Sequence, residues 1–265
     1  MSRDLTSAPD AADEGLAKPF LDHLEDLRIA IFRCIVTLAI GFAVAIPLTP
    51  VILRLLQAPL HGIVEDPRRF LRTLEVAGAF NILMRVGTWT GLVLCAPVLL
   101  LWITQFVFPG LTPRERMFVR RTLVFSAGLF ALGVVLGYHI TTGMALRWMF
   151  GLNQWLGLEP EWTATSYVSF VMGILIAFGL AFQLPVVVLF LGYLGVVTPP
   201  LLRKYRRHVL VGLLLLAMFL TPPDIISQIM MAIPLAVLYE ITIWVLAASL
   251  RARRREAAAA EAEPP

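Results

Sequence analysis

Six long apolar stretches, separated by short polar and proline-bearing segments, set the pattern of this chain. They run roughly over Ile29 to Pro47, Arg85 to Phe108, Arg120 to Ile140, Tyr167 to Tyr193, His208 to Leu220 and Ile225 to Leu250. Runs of about 18 or more apolar residues match a hydrocarbon core of ~30 Å at 1.5 Å per helical residue. The pattern predicts an all-α polytopic membrane protein of six transmembrane helices. The fifth stretch is short: about 20 Å of helix, closed by "TPPD", which cannot continue a helix inward. It reads either as a span met by local bilayer thinning or as a re-entrant hairpin arm.

The segments between the spans have their own texture. From about Leu48 to Met84, apolar and charged residues alternate in "LLQAPLHGIVEDPRRFLRTLEV", which predicts short surface helices. Between Thr141 and Ser166 stand Trp148, Trp155 and Trp162, expected to anchor an outer cap at the interface. Three regions follow. Residues 1–19 are acidic, small and polar, with no signal-peptide apolar region, and are expected to be a disordered leader. Residues 20–250 form the membrane domain, and 251–265 a basic, then Ala/Glu-rich tail.

Charge orients the chain. Arg3, Lys18 and Arg28, then Arg114, Arg116, Arg120 and Arg121, then Arg203, Lys204, Arg206 and Arg207, and finally Arg251 and Arg253 to Arg255 fall on one face. Only Arg54, Arg68, Arg69, Arg72 and Arg147 fall on the other. Roughly fifteen against about five places both termini in the cytoplasm. The net charge of +4 is thus explained without nucleic acid, for which no module is present. A 58% hydrophobic and 15% charged composition, with a mean hydropathy of +0.80, departs from a soluble domain in the same direction.

Chemistry is sparse. Cys34 and Cys95 lie inside spans as apolar fillers, and the four histidines have no ligand spacing, so no metal or cofactor is expected. No paired acids or nucleophile constellation supports an enzyme. At the first span's start, "FLDHLEDLRIAIFR" places Glu25, Asp26 and Arg28 on the first turns of an amphipathic helix. They read as a capped helix start or as an acidic patch for a cationic partner. Glu115 and Arg116 sit in the loop "FPGLTPRERMFVRR", where Thr112-Pro113 opens the next helix. A lone acid there is either dipole complementarity with an ion pair or a binding carboxylate. Inside the fourth span, "GLAFQLPVVV" sets Gln183 about 24 Å in from Tyr167, with Pro185 behind it. An amide unpaired in lipid costs several kcal/mol, so Gln183 should face protein or a wet cavity. Glu240 is a second intramembrane candidate or a snorkelling carboxylate, and Asp224 ends the "TPPD" turn.

Four of these segments together resemble the TatC family, the polytopic subunit of the twin-arginine protein translocase. "FLDHLEDLR" resembles its His-Leu-x-Glu-Leu-Arg motif, and "FVFPGLTPRER" its Phe-x-x-Pro-x-Leu-x-x-x-Glu-Arg loop. "FGLAFQLPVVV" is similar to Phe-Gly-x-x-Phe-Glu-x-Pro, and "LTPPDIISQIMMAIPLAVLYEI" to Thr-Pro-Pro-Asp-x-x-Ser-Gln. The resemblance covers roughly Phe20 to Leu250, in order. It implies a concave, cup-like six-helix bundle in the bacterial inner membrane. It also implies a receptor for signal peptides with two consecutive arginines. Partners would be single-span TatA and TatB proteins, with self-association in the complex and export of folded proteins driven by the proton motive force. Glu115 matches the family's loop acid, Asp26 its N-terminal acid and Arg28 the arginine after it, with Glu25 beside them. Two adjacent guanidiniums suit such carboxylates. Gln183 stands where the family often has Glu, which removes a titrating group but leaves, with Pro185, a docking point for a partner helix.

The competing class is a small-solute secondary transporter. It calls for midplane charge, unwound half-helices and repeat symmetry, whereas the sequence offers one neutral amide.

Overall fold

A computed structural model describes the backbone at residues 11–107, 113–193, 195–221 and 224–262, and most side chains within 24–251. Its frame is helical: α1 (Ala11–Gln57), α3 (Gly78–Val107), α4 (Pro113–Leu136), α5 (Gly143–Trp155), α6 (Ala164–Ala181), α7 (Leu184–Tyr193), α8 (Pro199–Lys204), α9 (Arg206–Leu220) and α10 (Ile225–Ala262). A short α2 (Pro67–Phe70) precedes β1 (Leu71–Arg72), and β2 (Trp162–Thr163) precedes α6.

Among the described residues, five helical stretches are long and apolar enough to cross a membrane: Leu24–Leu60, Gly78–Ile103, Val124–Trp155, Ala164–Gly192 and Ile225–Arg251. The all-α membrane fold is as expected. The expected fifth stretch, absent from these five, is α9, whose 15 residues reach only about 22 Å.

The boundaries differ from the sequence expectation in three places. First, α1 begins at Ala11, inside the expected leader. Second, it runs through Pro47 and Pro50 to Gln57, so the connection to α3 is much shorter than Leu48 to Met84. Prolines persist in membrane helices when neighbours satisfy the freed backbone. At the far end of α1, past both prolines, Tyr138 donates to the Leu55 carbonyl at 2.6 Å and Tyr167 to that of Leu56 at 2.5 Å. These carbonyls belong to the last turn, which has no intrahelical donors of its own. Third, the third span does not stop at Ile140. A π-helical segment, Gly137–Thr142, joins α4 to α5, and the helix ends only at Trp155. There Gly157, at φ 73°, closes a Schellman cap: its N–H reaches the Gln154 carbonyl at 3.0 Å, and that of Leu158 reaches Asn153 at 2.9 Å.

The helices form a row with α6 at its centre. α1 packs chiefly on α3, α6 touches α3, α4 and α9, and α10 closes the other end against α9 and α7. Burial follows this order: 56% of the α6 window lies inside the protein, against 11% for α1. α6 is apolar all round, as a helix surrounded by others must be. α1 and α3 run antiparallel and meet backbone to backbone. A Cβ on Gly91 would lie 2.8 Å from the Phe42 nitrogen, and one on Gly41 2.3 Å from Cys95 Sγ.

At one end, β1 and β2 pair in parallel, Leu71 beside Trp162 and Arg72 beside Thr163. Arg72 adds an ion pair to Glu161 at 3.1 Å. Trp162 stacks on Tyr167 at 6.5 Å and meets Phe70 edge-on at 5.2 Å. Trp162 thus belongs to a packed cap, while Trp155 stands 80% exposed on α5.

Candidate functional site

The first acidic candidates lie on an exposed turn of α1. Glu25 pairs with Arg28 at 3.3 Å, one turn on, and both side chains are well exposed. Asp26 is exposed beside them. Helical geometry dictates the i,i+3 pair, and exposure keeps it weak, ~0.2–1 kcal/mol. Further along α1, Arg33 lies 4.9 Å over the ring of Trp102 on α3. Trp102 Nε1 donates to Thr37 Oγ1 at 3.2 Å, and Cys95 Sγ donates to the Thr37 carbonyl at 3.2 Å. These contacts set the antiparallel register: Thr37 opposite Cys95, Arg33 opposite Trp102. Glu25 is eight residues before Arg33, about 12 Å along the axis. It therefore lies near the level of α3's end at Val107, on the side where the chain leads into α4 at Pro113. Glu115 and Arg116 belong to the first turn of α4, and their side chains lie outside the described residues.

Gln183 is buried, as its intramembrane position requires, and it has a partner. α6 ends at Ala181 and α7 starts at Leu184, so Gln183 sits in the break, with Pro185 in the first turn of α7. Ser126 Oγ donates to Gln183 Oε1 at 2.5 Å, and Gln183 Nε2 donates to the Ser126 carbonyl at 3.1 Å. The amide is thus held from both its ends by α4. A partner helix docking here would meet an amide already engaged.

Two other polar candidates resolve into local roles. Glu240 is gripped by Arg206 of α9, at 2.7 Å through Nε and 2.9 Å through Nη2. This two-pronged pair is the geometry that suits guanidinium and carboxylate best. Glu240 is thus a half-exposed carboxylate midway along α10, paired with the first residue of α9. Asp224, 6% exposed, caps α10: its Oδ1 accepts from the Ser227 N–H at 2.7 Å, and Oδ2 accepts from Ser227 Oγ. A helix start has orphan N–H groups, and an aspartate at this position satisfies one of them.

A cavity of about 460 Å³ lies away from the acidic turn of α1. It opens beneath the cap, between α5 and α6, with Asn153, Glu161, Trp162, Tyr167, Phe170 and Asp224 on its walls. Sequence reasoning did not find it, because its walls come from segments some 70 residues apart. The tryptophan-rich loop was the one signal available.

The helix order, the short α9 after a long central helix and the capped "TPPD" start of α10 together invite comparison with known proteins. Residues 22–234 match the family model of the Sec-independent protein translocase protein, TatC. The chain belongs to the TatC family. It is 33% identical over 227 residues to the TatC of Escherichia coli K12, covering 86% of this chain and 87% of that protein. Against the TatC of Listeria innocua it is 34% identical over 235 residues, covering 88% and 93%. A crystal structure of the twin arginine translocase receptor TatC in DDM superposes with a TM-score of 0.73 at 32% identity, covering 84% of this chain and 98% of that one. Both the TatC fold and membership of a Sec-independent protein translocase are therefore as the resemblance implied. The sequence motifs that carried it map onto the exposed turn of α1, the start of α4, the α6–α7 break and the cap of α10.

Proposed function

We propose that this TatC-family chain is the signal-peptide receptor and scaffold of a twin-arginine translocase. It sits in the bacterial inner membrane with both termini in the cytoplasm. It recruits TatA- and TatB-type single-span partners, associates with further copies in the complex, and exports folded proteins at the expense of the proton motive force. The role is that of a binding scaffold, without a covalent step or a cofactor.

One observation carries this reading. The antiparallel register of α1 and α3 brings Glu25 and Asp26 to the end where Glu115 enters α4. Carboxylates gathered there can each accept the forked hydrogen bonds that two neighbouring guanidiniums donate. Arg28 takes part by holding Glu25 until a ligand arginine replaces it, and Arg116 stands beside Glu115. The excess of lysine and arginine at the same end supports a cytoplasmic location. Gln183 and Pro185 fit a second role at the α6–α7 break, where a partner helix would exchange hydrogen bonds with Ser126 for contacts of its own.

The test is photocrosslinking from a probe beside the two arginines of a signal peptide. Labelling should fall on residues 22–28 and 114–116, and Glu115→Lys should reduce it more than tenfold. It should also weaken as salt rises, since exposed charges are screened over about 10 Å at 0.1 M. Labelling that avoids both segments would sink the proposal. Co-purification of small single-span proteins separates it from the small-solute transporter.

A further inference from the structure

Where α8 meets the end of α10 the protein encloses a second cavity, of about 240 Å³. Pro199, Pro200, Ala247 and Leu250 supply apolar walls, and Arg203 and Arg251 supply two guanidiniums. Two cations sharing a small cavity repel each other unless an anion lies between them. Glu240 of α10 is already taken by both prongs of Arg206. Among the described residues neither Arg203 nor Arg251 has an acidic partner. Asp224 is committed to the opposite end of α10. Among the described residues the cavity thus sets two guanidiniums without an acidic partner against an apolar wall.

What fits both halves of that description is an anion joined to hydrocarbon. A stripe of exposed apolar residues leads away from the cavity along α10: Trp244, Ile241, Val237 and Ile233, each between 52% and 71% exposed. Their spacing of three and four residues keeps them on one face, continuous with Ala247 and Arg251. From Ile233 to Trp244 is about 16 Å of helix, long enough to lie beside an acyl chain. Trp244 marks the boundary, where an amphipathic ring sits at headgroup level. Basic pockets between membrane helices take anionic lipid headgroups in this way. We propose that the α8–α10 cavity binds the phosphodiester of an anionic phospholipid of the phosphatidylglycerol type. Arg203 and Arg251 grip the phosphate, and the α10 stripe carries an acyl chain. The site shares no residue with the acidic turn of α1.

The experiment uses the full chain, purified in detergent and stripped of lipid. Phosphatidylglycerol, phosphatidylcholine and inorganic phosphate are each titrated, with bound lipid counted by native mass spectrometry. Phosphatidylglycerol should bind with clear preference over phosphatidylcholine. Arg203→Gln with Arg251→Gln should weaken it roughly thirtyfold, about fivefold per arginine near the surface. Arg69→Gln, on the distant α2, should leave it unchanged. Equal binding of the two lipids, or an unchanged double variant, overturns the proposal. Inorganic phosphate that competes at the same concentration as the lipid assigns the cavity to a free anion and overturns the lipid. If the double variant does not fold, a salt series on the unaltered chain decides. Phosphatidylglycerol binding that falls steeply with salt supports the site, and a flat series rejects it.

Discussion

Gln183 and Ser126 illustrate how a polar pair survives in an apolar interior. Each satisfies the other, and neither can be removed alone without stranding its partner. Gln183→Leu should therefore lower stability by ~1–3 kcal/mol, read as a fall in the thermal transition in detergent. Ser126→Ala should cost less, because the Ser126 carbonyl still accepts from the amide. The double variant should show a coupling of about 0.6–2 kcal/mol. Additive losses would mean the pair is not a unit. Tyr167 makes a second case: its hydroxyl is buried and satisfies the Leu56 carbonyl. Tyr167→Phe should cost ~1–3 kcal/mol by leaving that acceptor dry. At this scale the sequence was half legible. That Gln183 had to be paired followed from the cost of an orphan amide. Its partner did not, because Ser126 is 57 residues away and carries no pattern of its own. The same holds for Glu240 and Arg206, separated by 34 residues.

Between elements, the crossing of α1 and α3 depends on the absence of side chains. Because a Cβ on Gly91 would strike backbone atoms, no rotamer change can relieve it. Gly91→Ala should destabilise by ~1–3 kcal/mol through forced separation of the helices, and Gly91→Leu should abolish stable expression. Gly128→Ala, where nothing lies within 4 Å, is the control and should be neutral or stabilising. By contrast, the Arg206–Glu240 pair joining α9 and α10 is half-exposed. Glu240→Gln should shift stability by no more than about 1 kcal/mol despite its good geometry. The apolar runs made the helices themselves legible, since lipid length sets the helix length. Their ends were less so. Pro47 read as the end of the first span, yet α1 runs on through it and Pro50 to Gln57. The two-residue strands of the cap are too short to leave a period in the sequence.

For the molecule as a whole, the arginine-rich connections and the cap lie at opposite ends of the same row of helices. Cysteines introduced at Val76 and Leu158, near the cap, should react with a membrane-impermeant thiol reagent added outside. Cysteines at Val196 and Arg251 should react only after the membrane is opened. The reverse pattern would invert the orientation. The cap has one further consequence. The paired strands, the Arg72–Glu161 bridge and the Trp162 cluster rivet two connections together at one end of the helices. Towards the other end the described ion pairs, Glu25–Arg28 and Arg206–Glu240, are exposed or half-exposed. A body clasped at one end behaves as a pair of tongs. Any widening needed to admit a ligand would then be taken up at the arginine-rich jaws.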